Sequence, residues 1–113
     1  MAGLMDGLML QTGTRTRLGD PDVMGAQEPE SVASTPCQAI RRQERVKTAD
    51  GTLVLCSAVV YVPGDFDVAA GDRWQTAGWS EEHQVLAVAD VPDLWGAVDH
   101  RKVWLDRVAT GRV

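Results

Sequence analysis

The sequence predicts an all-β fold, a small antiparallel β-barrel or sandwich with a long N-terminal loop. The 11 glycines and 5 prolines among its 113 residues indicate many turns and short strands. Residues 53–62 read Leu-Val-Leu-Cys-Ser-Ala-Val-Val-Tyr-Val, and a run so rich in β-branched residues favours a strand. Five or six such strands follow one another, and closing them into a barrel or sandwich hides their edges. The length suits a single domain, residues 1–113.

The central hairpin is predicted at Asp50-Gly51, because both residues tolerate the positive φ that a two-residue turn demands. The strands before and after this turn span residues 39–48 and 53–62. A two-residue turn sets the register, and the opposed pairs are Val46 with Leu55, Arg42 with Val59, and Ile40 with Tyr61.

The second strand of this hairpin is apolar on both faces. One face carries Leu53, Leu55, Val59 and Tyr61, and the other carries Val54, Cys56, Val60 and Val62. A strand buried on both faces is central in its sheet, or it is covered by another sheet or another subunit. This excess of apolar surface is a first indication of assembly.

The N-terminal third is predicted to hold one strand and one long loop. Residues 8–14 form the strand, with Leu8, Leu10, Thr12 and Thr14 on one face, although the Met-Leu runs also suit a helix. Residues 15–36 show the apolar periodicity of neither a helix nor a strand, and they contain many residues that interrupt both. We therefore predict a loop. A loop of this length in a small domain is functional or disordered. Its charged residues are Arg15, Arg17, Asp20, Asp22, Glu28 and Glu30.

The C-terminal half predicts a meander of short strands. Residues 73–77 and 84–89 form two strands separated by a turn at Gly78, and residues 92–97 form a loop with an aromatic tip. The last strand spans residues 98–108. Its side chains alternate, with Val103 and Leu105 on one face and His100, Lys102, Trp104 and Asp106 on the other.

The charge balance argues against a protein that binds nucleic acid tightly. The formal net charge is −5 and the pI is about 4.8. Tight binding needs a basic surface that displaces counterions from the phosphates. An acidic protein can still let DNA pass without adhering, since like charges repel.

The two cysteines, Cys37 and Cys56, are predicted to be unpaired and buried, because the register holds them several residues apart along the ladder. The first ten residues lack the basic start of a signal peptide. No stretch is long enough to span a membrane.

Motifs of catalysis and of metal or nucleotide binding are missing from the sequence. It contains no nucleophile elbow, P-loop or dinucleotide fingerprint. His83 and His100 lie on separate segments outside any zinc-binding spacing. Asp65, Asp67 and Asp72 lack the spacing of a calcium loop and suit turns instead. We therefore expect no cofactor and no metal.

The sequence contains four tryptophans but one phenylalanine and one tyrosine. Some of them must fill the core, but tryptophan is also enriched where proteins meet. The candidates for an interface are Trp79, Trp95 and Trp104.

Asp50-Gly51 and residues 58–73, Ala-Val-Val-Tyr-Val-Pro-Gly-Asp-Phe-Asp-Val-Ala-Ala-Gly-Asp-Arg, resemble the head-closure proteins of long-tailed bacteriophages and related prophages. These proteins are also called head-to-tail stoppers or head-tail connector proteins. The similarity covers about Pro36 to Val108 and includes a later loop that bears a tryptophan. The segment from Trp79 to Gln84 is longer than the corresponding hairpin of the family.

The resemblance implies a structural virion protein of the phage neck, present in the host cytoplasm during assembly. Such a protein forms a homo-oligomeric ring between the portal/adaptor complex and the tail. In the family, a long loop projects toward the channel and helps to retain packaged DNA without sequence-specific binding; here that loop would be residues 15–36. No enzymatic activity and no membrane contact are implied.

Two other functions remain open from the residues alone. One is a monomeric small β-barrel that acts as a binding module in a host cell. The other is an enzyme that uses acids such as Asp65, Asp67 and Asp72.

Overall fold

The computed structural model describes residues 9–19, 28–48 and 50–108. The strands in these ranges are β1 (Gln11–Leu18), β2 (Pro29–Ile40), β3 (Arg45–Lys47), β4 (Leu53–Leu55), β5 (Ala58–Pro63), β6 (Arg73–Thr76), β7 (His83–Pro92) and β8 (Val98–Arg107). Six of them close into an antiparallel barrel in the order β1-β2-β5-β8-β7-β6, and β3 and β4 form a separate two-stranded ribbon. The predicted all-β barrel is therefore confirmed.

The barrel interior is filled by alternate side chains of its strands and by Val68 of the segment between β5 and β6. Its buried members are Cys37, Ala58, Val60, Val62, Val68, Trp74, Val85, Val103 and Leu105. Trp74 is the largest of them, and its indole Nε1 donates a hydrogen bond to Thr76 Oγ1 at 2.8 Å. The bond satisfies the one polar atom of the ring, so the indole is accommodated in an apolar interior.

The outer face of β5 is buried as well, and the chain itself covers it. Val59 is fully buried in a second cluster with Val46 of β3 and Cys56, and Val54 of β4 packs against the same cluster. The prediction of a strand buried on both faces is confirmed for β5 only, because residues 53–55 form the separate strand β4 and its Leu53 and Leu55 are exposed. The cover of β5 is the β3–β4 ribbon rather than another subunit, and Cys56 lies on the Val59 side rather than with Val60.

The predicted hairpin register is wrong. Leu55 is opposite Arg45 rather than Val46. Nearer the barrel, Ile40 is opposite Val59, and Tyr61 is opposite Gln38. The ladder breaks between the two halves, at residues 41–44 and 56–57, where the ribbon leaves the barrel. Arg42 therefore has no ladder partner, although its guanidinium reaches the Tyr61 hydroxyl at 3.3 Å.

The turn of the ribbon explains why Leu55 is opposite Arg45 rather than Val46. Gly51 has a φ of +88°, whereas no other residue type has a positive φ in the described ranges. Gly51 N donates to Thr48 O at 3.0 Å, and Thr48 N donates to Thr52 O at 2.9 Å. A connection of three residues therefore replaces the two-residue turn, as in hairpins that end in a left-handed glycine.

The predicted long loop over residues 15–36 is wrong for most of its length. Residues 15–18 belong to β1 and residues 29–36 belong to β2, and the two strands pair from Gln11–Cys37 to Leu18–Pro29. Asp20 and Asp22 lie outside the described residues, as does Leu8 of the predicted first strand. Leu10, predicted on one face of that strand, lies before β1 and is 90% exposed.

The meander of the C-terminal half is confirmed, with a β7 that is longer than predicted. Gly78 forms the expected turn with a φ of +85°. Val103 and Leu105 point into the barrel, and both cysteines are unpaired and buried. Burial raises the pKa of the Cys37 thiol to about 11.

Candidate functional site

The β1–β2 hairpin extends beyond the rim of the barrel. β6 pairs with β1 only from Gly13 to Thr16, so Arg17 and Leu18 continue past the barrel with their β2 partners Ser31 and Pro29. Gly19 N then donates to Glu28 O at 2.9 Å. We call residues 17–19 and 28–31 the arm. The arm is paired across the hairpin, with an irregularity at Glu30 between the Arg17–Ser31 and Leu18–Pro29 pairs.

Arg17 ties the arm to the loop between β5 and β6. Its guanidinium donates to both carboxylate oxygens of Asp72, from Nε at 3.0 Å and from Nη2 at 2.9 Å. Nη1 donates to Asp67 Oδ2 at 2.9 Å. These bonds raise the pKa of Arg17, and the same contact holds the pKa of Asp67 below its usual range. We call Arg17, Asp67 and Asp72 the brace.

The brace has a buried side and an exposed side. The Asp72 side chain is 6% exposed, and its Oδ2 also accepts a hydrogen bond from Ala69 N at 2.9 Å. The Asp67 side chain is 75% exposed. A bidentate arginine–carboxylate pair is strongest where water is excluded, so Asp72 contributes more to the brace than Asp67.

Arg15 lies at the base of the arm, two residues before Arg17. The residue is 5% exposed, and its Nη2 donates to Ser31 Oγ at 3.1 Å. Its Nη1 lies 3.7 Å from Asp67 Oδ2. Both arginines predicted to face a channel are therefore turned toward carboxylates and hydroxyls of the chain itself, whereas Glu28 and Glu30 are exposed.

Trp95 is the one predicted interface tryptophan that is exposed. It lies with Leu94 in the connection from β7 to β8, and each residue is 85% exposed. Asp93 Oδ1 accepts hydrogen bonds from Trp95 N at 2.7 Å and from Ala97 N at 3.1 Å. The loop is therefore a defined turn that holds two large apolar side chains in solvent. We call residues 93–98 the tip.

Trp79 is half-buried within a cluster at the opposite end of β7. The guanidinium carbon of Arg41 lies 4.0 Å from the centroid of its ring, and Arg41 also donates to both carboxylate oxygens of Glu81. This pairing lowers the pKa of Glu81 to about 2. The ring of His83 packs edge-on to Trp79 at 5.7 Å. Trp79 thus joins elements of its own chain.

Trp104 is half-buried on the outer face of the barrel. Its Nε1 donates to Glu44 Oε1 at 3.1 Å, and Lys102 Nζ donates to the same oxygen at 2.9 Å. These bonds lower the pKa of Glu44. The ribbon side of the ring packs in the cluster around Val59. Trp104, like Trp79, is occupied by intramolecular contacts.

Sequence reasoning missed a second exposed apolar surface, on the ribbon. Leu53 is 67% exposed and Leu55 is 52% exposed, although both were placed on a buried face. Their cross-strand partners are Lys47 and Arg45. The alternation of β3, with Val46 between two basic residues, is the signal that identifies this face as outward.

The described residues contain no group of three His, Cys, Asp or Glu side chains that could hold a metal ion. No helix in the same part of the chain is long and apolar enough to cross a membrane.

Comparison with known proteins identifies no relative: no family model matches the chain, and no curated protein matches it. The features of this chain that bear on its function are the arm, the tip and the ribbon, together with the residue pattern at 58–73.

Proposed function

We propose that this chain is a structural protein of the neck of a long-tailed bacteriophage. In this role it forms a ring between the portal/adaptor complex and the tail, closes the head and retains the packaged DNA. It acts in the virion after assembling in the host cytoplasm. The observation that carries the proposal is the arm, a paired two-stranded projection held at a fixed position by the brace. The proposed role is mechanical and electrostatic and requires no catalytic group.

The charges of the arm suit a surface that faces DNA without adhering to it. Arg17 is neutralised by Asp67 and Asp72, while Glu28 and Glu30 are exposed. The net charge of the whole chain is −5. An acidic projection repels the phosphates of DNA at close range. Such a projection can stand in the path of the DNA as a steric block without binding it.

The segment that carries the family resemblance also supports the arm. Residues 58–73 form β5, the following loop and the first residue of β6, and the loop contributes both carboxylates of the brace. The pattern ends in Gly71-Asp72-Arg73, and its Asp72 holds Arg17 of the arm. The segment that resembles the family is therefore also the segment that fixes the arm.

The test is a prophage or phage in which the chain is replaced by a shortened version. Residues 20–27 are exchanged for Asn-Gly, a two-residue connection that keeps the hydrogen-bonded pair of Gly19 and Glu28. The barrel should fold and assemble as before, because loop length changes closure entropy only slowly. The heads should package DNA and then lose it, so tailless heads should hold less DNA than those with the intact chain.

The control is a chain in which residues 20–27 keep their length but have Asp20 and Asp22 changed to asparagine. It separates the effect of charge from the effect of reach. Full DNA retention with the shortened chain would contradict the gating role. Normal virions formed without any copy of the chain would contradict the neck assignment altogether.

A monomeric binding module is the second candidate, and one observation favours it. The outer face of β5 is covered by the chain's own ribbon, so this face does not require a neighbouring subunit. Electron microscopy of particles labelled on this chain distinguishes the two functions, since a ring component is found at the head–tail junction and a host binding module is not.

A further inference from the structure

Two exposed apolar surfaces lie on different parts of this chain. The tip presents Leu94 and Trp95, each 85% exposed, at the far end of the β7–β8 hairpin. The ribbon presents Leu53 and Leu55 on its outward face, next to a shallow cleft that Arg45 and Val54 also line. Large apolar side chains left in solvent on a well-ordered turn or ribbon are typical of surfaces that meet another protein.

The two surfaces are complementary in charge as well as in polarity. The outward face of the ribbon carries Arg45 and Lys47 directly opposite its two leucines. The tip begins at Asp93, and the exposed Asp65 lies in the loop whose Gly64 approaches Val98 of the tip. An indole placed between two leucines and two cations gains both apolar contact and cation–π attraction.

The tip and the ribbon of one molecule do not meet. The ribbon packs against β7 at Leu86 and Ala87, and the tip starts six residues further along, roughly 20 Å for an extended strand. A contact between the tip and the ribbon face therefore joins two molecules. A contact between two different patches of identical chains is head-to-tail, and repetition of it closes a ring when the rotation permits.

We propose that the Leu94–Trp95 tip of one copy docks on the Leu53–Leu55 face of the ribbon of the next copy. The proposal deepens the ring role given above and rests on it, since it names the two surfaces through which the ring is built. Trp95 is the central anchor of this contact, and Arg45 and Lys47 flank it.

The test uses two variants of the full chain, each missing one side of the contact. Trp95→Ser removes the tip anchor and keeps the ribbon, and the double variant Leu53→Asp with Leu55→Asp removes the ribbon face and keeps the tip. Sedimentation velocity at increasing concentration is measured for the wild type, for each variant and for their mixture. Because all three positions are exposed, the melting temperatures should remain close to that of the wild type.

The expected result is distinctive for a head-to-tail contact. The wild type should associate beyond a dimer, each variant alone should associate about tenfold or more weakly, and the mixture should form a one-to-one dimer. High salt should weaken the dimer in part, because exposed charges contribute to it. The control is Leu10→Asp, which changes a side chain that is 90% exposed and belongs to neither surface. It should associate like the wild type.

Two outcomes would overturn the contact. One is a wild type that stays monomeric at every concentration, and the other is either variant associating as strongly as the wild type. The second outcome would assign the ring to another surface. DNA retention by particles is measured separately, so failure of this contact is distinguishable from failure of the neck role.

Discussion

Gly13 lies against the indole of Trp74 so closely that a β-carbon at position 13 would overlap Cζ2 of the ring. Trp74 occupies the barrel interior, where Phe66 packs edge-on to it at a centroid distance of 6.4 Å. The absence of a side chain at position 13 therefore gives the indole the space it needs, and it allows β1 to close the barrel against β6.

Gly13→Ala should destabilise the fold. The β-carbon would overlap a rigid ring that is buried on all sides, and overpacking of this kind costs about 1–3 kcal/mol. Chemical denaturation measures the free energy of unfolding. Gly19→Ala is the matched control, since the nearest atom to its new carbon is 3.6 Å away. Equal stability of the two variants would contradict the tight contact.

Gly51→Val should destabilise the ribbon through its backbone alone. The residue has a φ of +88°, and an added β-carbon would approach only Lys47 Cε, at 4.0 Å. A β-branched residue resists positive φ, so we expect a loss of about 1 kcal/mol or more. Thermal unfolding measures it, with Leu53→Val as a control at an exposed strand position. An unchanged melting temperature would argue against the turn geometry.

The two carboxylates of the brace should differ in their effect on stability. Asp72→Asn removes the charge from a side chain that is 6% exposed and leaves Arg17 without its principal partner. A hydrogen bond to a charged group contributes about 2 kcal/mol, and we expect a loss of that order at pH 7. Asp67→Asn changes a side chain that is 75% exposed and should have little effect. Urea denaturation of the two variants makes the comparison, and a larger effect at Asp67 would refute the assignment.

His83 should make the fold less stable as the pH falls below neutrality. Burial lowers the pKa of its ring below 6.5, and the Arg107 and Arg41 charges act in the same direction, while Glu81 and Asp106 oppose them. The unfolded chain then binds a proton that the folded chain does not. Stability should therefore decrease from about pH 6.5 downward, by at most about 1.4 kcal/mol per pH unit, until the folded pKa is reached.

An NMR titration of the His83 ring, together with denaturation at several pH values, tests this prediction. His83→Phe should remove the slope between pH 6.5 and the folded pKa, whereas His100→Gln should retain it. A ring that titrates above 6.5 in the folded protein would reverse the sign and exclude the proposed effect.

The part of the fold that sequence predicts best is the part held by apolar packing. Val60, Val62, Val103 and Leu105 alternate along their strands, and they all reach the barrel interior. The loop at the tip is also predicted, because Pro92 and Gly96 enclose a short segment that contains Leu94 and Trp95. The alternation of apolar and polar residues is visible in a sequence wherever one face of a strand is buried.

The arm and its brace could not be predicted for a physical reason. Residues such as Arg17 and Ser31 lie in paired strands whose stability comes from backbone hydrogen bonds, so no apolar period marks them. Arg17 and Asp72 are 55 positions apart in the chain and meet only through the closure of the barrel. The register failed at Gly51 and at the break after Ile40, because neither a three-residue connection nor a ladder break alters the apolar pattern.

The β1–β2 hairpin is hydrogen-bonded to the barrel on both of its sides. β1 pairs with β6 from Gly13 to Thr16, and β2 pairs with β5 from Gln38 to Ile40. If the hairpin detached, the remaining sheet of β5-β8-β7-β6 would present two unpaired edges, and such edges recruit strands of other chains. One hairpin thus protects the protein against edge-to-edge aggregation at two places at once.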